Sequence, residues 1–357
     1  MNKNKINKQR EIIDEIDKDI LEALNKRLSI ANEIGQIKDQ LGSDFYDPAR
    51  EAEVLEKILK LNQGSIKNEA LRAIYREIIS ASIALEKELK VAYLGPEATF
   101  THQAVTKNFG ASLKSVPMRT ISDVFDAVDK DDCEYGVVPI ENSNEGAVFH
   151  SMDQLVESDL KICSQVYLPI EHCLISQSPL EKIVEIYSKD QAIGQCRDWL
   201  RRNLPNAEIY DYNSTASAVE YAKNKSGVAA IASSMAADIY QLPIVKKGIQ
   251  DNNDNVTRFL VIGKTKVRPL GNGNDKTSLV ISLNDEAGSL EKALAPFANR
   301  NINLTKIESR PSRKKAWDYF FFIDLVGHIE EDVVKSAIDE LKQCSSFVKW
   351  LGSYPNI

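Results

Sequence analysis

A regular spacing of apolar residues over positions 9–41, a stretch that contains no proline, constrains the fold more than any other feature of the chain. The apolar side chains recur at three- and four-residue steps, at Ile13, Ile16, Ile20, Leu24, Leu28, Ala31, Ile34 and Leu41. This spacing predicts one amphipathic helix of roughly ten turns. A small domain cannot bury so long a helix by itself, so we expect a second copy of the chain to complete its core.

Two further helices are expected after it. In the stretch "LGSDFYDPARE", Asp47 is a favourable N-cap and Pro48 suits the first helical position. The triplet Asn62-Gln63-Gly64 ends this second helix, and a third helix is predicted over residues 69–89. Residues 1–90 are therefore predicted to form an all-α domain.

The pattern changes at Val91. Short apolar runs typical of buried strands, among them "VAYLG", "YGVVPI", "HCLIS", "AAIAS" and "RFLVIG", alternate with helical stretches such as "STASAVEYAKN". This alternation predicts α/β layers over residues 91–267, enough chain for two lobes with a ligand cleft between them.

The last part of the chain follows a polar linker at 266–276. The linker's Gly271-Asn272-Gly273 lacks the third glycine and the flanking strand and helix of a dinucleotide fingerprint. The order strand, helix, strand, strand, helix, strand then predicts an α+β ferredoxin-like domain over residues 268–357.

Composition limits the functional classes. A chain of 357 residues is expected to hold two or three domains. Its net charge of −7 favours no nucleic-acid partner, and no apolar run is long enough for a membrane span. The opening "MNKNKINKQR" lacks the apolar core of a secretory signal, so a cytoplasmic location is expected. Five cysteines without a CxxC pair and four dispersed histidines favour reduced thiols and no metal site.

Basic residues on the long helix point to a small anion. Arg27 and Lys38 are eleven residues apart and project from one face, about 16 Å apart along the axis. Arg10 is about 25 Å from Arg27 and roughly 100° around the helix, so only an antiparallel pair of such helices brings all three to one ligand. A solvated face with scattered cations is the alternative.

Thr257 also has two interpretations. It stands before the apolar run of "NVTRFLVIG", where a β-branched residue suits the start of a strand. Its hydroxyl could instead serve a substrate, and the residues around it leave both open.

Residues 9–89 closely resemble the all-helical chorismate mutase family, through "QREIIDEIDKDILEALNKRLSIANEIGQIK", "DPARE" and "IISASIALEKE". The resemblance implies that Arg10 acts in the partner subunit's site, and that Arg27 and Lys38 bind the substrate carboxylate and ether oxygen. It assigns the remainder of the site to Asp47, Arg50, Glu51, Ser82 and Glu86. The implied reaction, chorismate to prephenate, is pericyclic and needs positioned charge rather than a cofactor.

The middle segment resembles prephenate dehydratase in six ordered stretches, "GPEATFTHQA", "VVPIENSNEGAV", "YSKDQAIGQCRDWL", "NSTASAVEYA", "AAIASSMAADIY" and "NVTRFLVIG". The resemblance implies catalytic roles for Asn142, Ser188, Gln195 and Thr257. It places around the substrate Thr99, Glu141, Ser143, Ser214, Thr215, Arg258 and Phe259, with Arg258 as the expected carboxylate anchor. The chain departs from the family pattern at Ala98, where glycine is usual, and at Lys189-Asp190, where His-Pro is usual.

The C-terminal segment resembles the ACT regulatory domain fused to such dehydratases, through "NLTKIESRP" and "WDYFFFIDLVGH". The resemblance implies a phenylalanine site between subunits, formed by Gly288, Ser289, Leu290, Glu308, Ser309, Arg310 and Pro311. A packing domain that binds no ligand is the alternative.

Taken together, the chain is expected to be a multidomain, bifunctional enzyme of phenylalanine biosynthesis. It converts chorismate to prephenate and prephenate to phenylpyruvate without a cofactor, as at least a homodimer, with phenylalanine as effector. Two rivals remain: an enzyme with only the dehydratase active and a helical dimerisation domain, and a non-catalytic amino-acid-sensing binding protein.

Overall fold

The computed structural model describes residues 2–42, 44–271, 273–311 and 319–356. The chain forms two compact units, residues 1–89 with 109–114, and residues 90–108 with 115–357. Among the described residues, no helix is both long and apolar enough to cross a membrane.

The first unit contains three helices, α1 (Asn2–Leu41), α2 (Pro48–Leu61) and α3 (Asn68–Glu86). The predicted start of α2 is confirmed, because the Asp47 carboxylate accepts a hydrogen bond from the backbone N–H of Arg50 at 2.9 Å. Helix α3 ends three residues earlier than the sequence pattern predicts. Both α1 and α2 pack against α3, but many of the apolar side chains of α1 are exposed, including Ile6, Ile13, Ile16 and Ile20.

The second unit begins with a lobe built on a six-stranded sheet. Its strands follow the order β2-β1-β3-β11-β5, with β4 paired to β3. Their bounds are β1 (Lys90–Leu94), β2 (Lys114–Met118), β3 (Tyr135–Asn142), β4 (Gly146–Ala147), β5 (Lys161–Pro169) and β11 (Val256–Gly263). The helices of this lobe are α4 (Phe100–Phe109), α5 (Ile121–Asp129) and α6 (Phe149–Glu157).

A five-stranded sheet in the order β10-β6-β9-β7-β8 forms the second lobe. Its strands are β6 (Cys173–Ile175), β7 (Glu185–Ser188), β8 (Glu208–Asp211), β9 (Val228–Ala232) and β10 (Ile244–Lys246). Its helices are α7 (Asp190–Gln195), α8 (Arg197–Asn203), α9 (Thr215–Ala222) and α10 (Ser234–Tyr240). The chain leaves the first lobe after β5 and returns to it in β11, which confirms the two-lobed α/β prediction.

The C-terminal part has the predicted ferredoxin-like order. Its elements are β12 (Asp275–Ser282), α11 (Ser289–Ala298), β13 (Leu304–Pro311), β14 (Tyr319–Val326), α12 (Asp332–Cys344) and β15 (Phe347–Pro355). The strands pair antiparallel in the order β13-β14-β12-β15. Strand β12 begins at Asp275, inside the predicted linker.

Strand β11 lies between β3 and β5 and is buried along almost its whole length. In its antiparallel pairing with β3, Thr257 is opposite Asn142 and Arg258 is opposite Glu141. Successive side chains of a strand point to opposite faces of the sheet. Thr257 and Arg258 are therefore directed to different surroundings, which decides the role each can have.

Candidate active sites

In the helical unit, Arg27 and Lys38 of α1 both face α3. The Arg27 Nη1 donates to Ser82 Oγ at 2.5 Å, and the Lys38 Nζ lies 3.6 Å from Glu86 Oε2. Lys38 also donates to the backbone carbonyl of Phe45 at 2.9 Å. The structure thus brings together four of the residues that the sequence singled out, two cations, one hydroxyl and one carboxyl.

Glu86 is held so that its carboxyl group is largely withdrawn from water. Its side chain is 7% exposed, and Oε2 has no hydrogen-bond partner within the described part of the chain. Burial raises the pKa of Glu86, and the nearby Lys38 and Arg27 oppose that shift. The net direction favours the neutral acid, which can donate a hydrogen bond where the carboxylate cannot.

Glu51 is a second acid with the same tendency. Burial and the neighbouring Asp47 raise the pKa of Glu51 to about 8, against the opposing charges of Arg76 and Lys38. Around neutral pH this group is therefore mainly protonated. The helical unit thus combines cations with two carboxyl groups whose pKa burial raises.

Gly35, which sequence reasoning did not select, allows α1 to approach α3 at this site. A Cβ atom built on Gly35 would lie 2.6 Å from Glu86 Cγ and 2.8 Å from Glu86 Cβ. The residue is buried, although most of its neighbours on α1 are exposed. A glycine inside an otherwise regular helix was the signal that could have identified it.

Arg10 and Arg50 are not part of this cluster. Arg10 lies near the start of α1 in a shallow groove with Lys5, Ile6, Gln9 and Ile13. Arg50 is exposed and pairs with Glu53 at 3.4 Å. Their roles stay predictions.

The two lobes of the second unit enclose a cleft with a volume of about 620 Å³. The predicted site residues that line it are Thr99, Asn142, Gln195, Ser214, Thr215, Thr257 and Phe259. Asn142 Nδ2 donates to Thr257 Oγ1 at 2.8 Å, across the β3–β11 pairing. The hydroxyl of Thr257 therefore lies on the cleft side of the sheet, and the residue is the second of β11.

Three predicted residues lie close to the cleft without lining it. Ser188 is fully buried and its hydroxyl donates to the Ile231 carbonyl at 2.6 Å. Ser143 joins the end of β3 to the loop before β11, since its hydroxyl donates to the Asp254 carbonyl at 3.2 Å. Glu141 pairs with Lys306 of β13 at 2.8 Å.

The expectation that Arg258 anchors a substrate carboxylate is not met by its position. Its guanidinium lies on the opposite face of β11 from Thr257, with Nη1 at 2.6 Å from Asp324 Oδ2 and Nη2 at 2.8 Å from Tyr354 Oη. Strand alternation is the reason, because adjacent residues cannot both face the cleft. Arg258 joins the cleft strand to the C-terminal domain instead.

The cleft contains other polar residues that the sequence pattern did not identify. Arg119 and His172 line it, and Asn255, only 1% exposed, contacts two residues of the site. Asn255 lies two positions before Thr257, a spacing that places side chains on one side of extended chain. That spacing is the sequence feature that could have identified Asn255 as a site residue. No comparable feature of the sequence marks Arg119 or His172.

Helix ends also face the cleft. Thr99, Phe100 and Thr101 at the start of α4 line it, as do Ser214 and Thr215 at the start of α9. Helix N-termini favour anions, because their first backbone N–H groups lack partners within the helix. The cleft is thus suited to an anionic ligand.

Ala98 stands where the family usually has glycine. It takes a left-handed backbone conformation with φ 66°, and its N–H donates to His102 Nδ1 at 3.1 Å. The backbone conformation usual for glycine is therefore retained with alanine. Lys189 lines the cleft and pairs with Asp190 and Asp211.

The C-terminal motifs lie on two elements. Gly288, with φ 83°, is the N-cap of α11, followed by Ser289 and Leu290, while residues 308–311 end β13. Arg310 is buried, forms a bidentate pair with the Asp153 carboxylate of α6, and lies over the Phe149 ring. The phenylalanine-binding role of these residues stays a prediction.

Three family models match successive segments of the chain. Residues 9–87 match chorismate mutase type II, residues 91–267 match prephenate dehydratase, and residues 277–343 match the ACT domain.

Individual relatives agree with these matches. A bifunctional chorismate mutase/prephenate dehydratase of Aquifex aeolicus is 49% identical, over 97% of this chain and 96% of its own length. The enzyme of the same name from Pseudomonas aeruginosa is 44% identical, over 96% and 95%. A crystal structure of prephenate dehydratase in complex with L-Phe from Arthrobacter aurescens is 33% identical, with a TM-score of 0.69, and covers 75% of this chain and 90% of that one.

Proposed function

The chain belongs to the family of bifunctional chorismate mutase/prephenate dehydratases with an ACT domain, and on that premise we propose how its residues carry out the two reactions. The helical unit converts chorismate to prephenate, and the cleft converts prephenate to phenylpyruvate. The observation that carries the second assignment is the contact between Asn142 and Thr257 inside the cleft.

The first reaction is a rearrangement within one molecule, so the site has to hold a compact conformer and stabilise charge on the breaking ether bond. Arg27 and Lys38 supply fixed positive charge for the substrate carboxylates. Neutral Glu86 then donates a hydrogen bond to the ether oxygen, as its raised pKa favours.

Arg10 completes this site from a partner subunit. It is about 25 Å from Arg27 along α1, too far to reach the same small molecule within one chain. The exposed apolar side chains of the first half of α1 support an antiparallel α1 partner. We therefore assign the active enzyme as at least a homodimer.

The second reaction removes the ring hydroxyl and CO₂ from prephenate. The hydroxyl leaves as water after gaining a proton, the C–CO₂ bond breaks, and its electron pair enters the ring that becomes aromatic. Thr257 donates a hydrogen bond to the departing oxygen. Arg119 and the start of α4 bind the anionic groups of the substrate, in place of the role first expected for Arg258.

Phenylalanine acts at the C-terminal ACT domain of this chain, and the similar prephenate dehydratase solved in complex with L-Phe supports phenylalanine as the ligand. Strand β13 ends in the Glu308–Pro311 motif and carries Lys306, which pairs with Glu141, next to Asn142. Strand β11 likewise presents Thr257 to the cleft and Arg258 to Asp324. A shift of the C-terminal sheet on binding phenylalanine would therefore reach both cleft residues.

The five cysteines are all free thiols, which supports a reducing cytoplasmic location for the enzyme.

The function is tested by incubating the pure protein with chorismate and following prephenate and phenylpyruvate. Thr257→Val keeps the β-branched shape and deletes the hydroxyl, so chorismate consumption should continue while phenylpyruvate formation falls by roughly 100-fold or more. Near-normal phenylpyruvate formation in that variant refutes the role of Thr257. If the unmodified protein does not consume chorismate, that result supports the dehydratase-only rival. If calorimetry detects no binding of phenylalanine to the protein, the proposed role of phenylalanine as effector is refuted.

A further inference from the structure

We propose, resting on the dehydratase activity above, that Asn255 is a positioning residue for that reaction. Its side-chain amide links Asn142 to Gln195: it holds the Asn142 amide in the orientation that the main chain sets, and it directs the Gln195 amide. The Thr257 hydroxyl proton then stays available to the substrate. Asn255 lies at the end of the polar loop that precedes β11 and is 1% exposed.

The orientation of Asn142 is set by the main chain. Its Oδ1 accepts hydrogen bonds from the backbone N–H groups of Asn144 at 2.9 Å and Glu145 at 3.1 Å. A backbone N–H can only donate, so the oxygen of the Asn142 amide must be on that side. Its Nδ2 consequently faces the other way and donates to Asn255 Oδ1 at 2.7 Å and to Thr257 Oγ1 at 2.8 Å.

Asn255 passes this orientation to Gln195. Because Asn255 Oδ1 accepts from Asn142, its Nδ2 is directed to Gln195 Oε1, at 2.9 Å. Gln195 Oε1 also lies 2.8 Å from His172 Nε2. Because an amide oxygen can only accept, His172 must donate in this contact, so the proton of neutral His172 is on Nε2. Burial lowers the pKa of His172, which favours this neutral form.

Thr257 lies at the opposite end of this series of hydrogen bonds. Its Oγ1 accepts from Asn142, so the contact does not use the hydroxyl proton. Donation into this oxygen also polarises the O–H bond and strengthens it as a donor. Without Asn255, the Asn142 amide would lose one of its two acceptors, and Gln195 Oε1 would lose one of its two donors.

Asn255→Asp tests this link with almost no change in shape. The ionised carboxylate can still accept from Asn142, but it places an oxygen against Gln195 Oε1 and has no proton to donate. Protonation of the new carboxyl group restores one donor. The titratable groups around this link are Glu145 and His172, which contact Gln195, Asp251, whose backbone N–H donates to the Gln195 carbonyl, and Asp254, the preceding residue.

We expect kcat of the dehydratase to fall roughly 10- to 100-fold at pH 8 with a smaller change in KM, as for loss of an orienting partner. Activity should partly recover as the pH is lowered, relative to the unmodified enzyme at each pH. The matched control is Asn253→Asp, which adds the same charge two residues away. Asn253 is exposed and its side-chain oxygen accepts a hydrogen bond from Gln250, which an aspartate can also accept, so this variant should behave like the unmodified enzyme.

A kcat equal to that of the control overturns the proposal, and so does a loss of the same size at every pH, which would indicate packing alone. If Asn255→Asp does not fold, Asn255→Ala carries the test, with full activity as the refuting result. Failure of the proposed function is distinguishable, because the unmodified enzyme would then form no phenylpyruvate.

Discussion

The buried Arg258–Asp324 pair offers a sharp test of how the cleft strand is joined to the C-terminal domain. Its Nη1–Oδ2 distance is 2.6 Å, and both side chains are at least nine-tenths buried. Two unit charges about 4 Å apart attract by about 4 kcal/mol at an effective dielectric constant of 20. Ser278 Oγ donates to Asp324 Oδ1 and Tyr354 Oη accepts from Arg258 Nη2, while Arg258 Nε has no hydrogen-bond partner among the described residues.

Asp324→Asn should therefore be strongly destabilising. It leaves the Arg258 guanidinium buried without a counter-ion, which typically costs about 3–5 kcal/mol of unfolding free energy. In a denaturant titration followed by dehydratase activity and near-UV circular dichroism, the transition of the second unit should move to lower denaturant. Phenylalanine should also inhibit the surviving activity less, since the variant breaks one connection between the two domains.

The matched control is Asp126→Asn. Asp126 pairs with Lys130 at 3.0 Å on α5, but both side chains are about two-thirds exposed, and such pairs contribute about 0–1 kcal/mol. A shift in Asp324→Asn no larger than that in Asp126→Asn would refute the reasoning. The double replacement Arg258→Met with Asp324→Leu should recover much of the loss, because it removes both charges together.

Two predictions concern the helical unit. Glu86 has a raised pKa and works as the neutral acid, so mutase activity should fall by about tenfold per pH unit once the pH exceeds that pKa. Glu86→Gln should remove this fall at high pH. Identical pH profiles of chorismate loss in the two proteins would count against the hydrogen bond. Gly35→Ala places a Cβ 2.6 Å from Glu86 Cγ, and such overpacking costs about 1–3 kcal/mol. Mutase activity should drop while phenylpyruvate formation from added prephenate stays normal; unchanged mutase kinetics would show that the two helices can separate there without loss.

Much of the fold was predictable because local patterns determine it. The Asp47 cap and Pro48 start α2, the helical periodicity defines α1, and short apolar runs become β1, β3, β6, β9 and β11. The short or exposed strands β2 and β8 were not predicted. Neither has a continuous apolar run, so only pairing with a neighbouring strand defines them as strands.

The candidate sites were predictable in part. Helical spacing, which the sequence shows directly, places Arg27 and Lys38 on one face of α1. Ser82 and Glu86 were assigned through the family resemblance, and the packing of α1 on α3 brings them to the two cations. Arg258 was expected in the cleft, but the alternation of β11 turns it to Asp324. Asp324 follows Arg258 by 66 residues in sequence, and no local pattern indicates such a pair.

By itself, the sequence determined the family, the three kinds of domain and the residue types that each reaction needs, because those depend on motifs and on periodicity along the chain. Only the tertiary structure decided which face of β11 each residue occupies, how close Gly35 lies to Glu86, and how Asn255 connects Asn142 with Gln195. These depend on strand register and on contacts between distant segments, where a shift of one residue reverses which side chain faces the cleft.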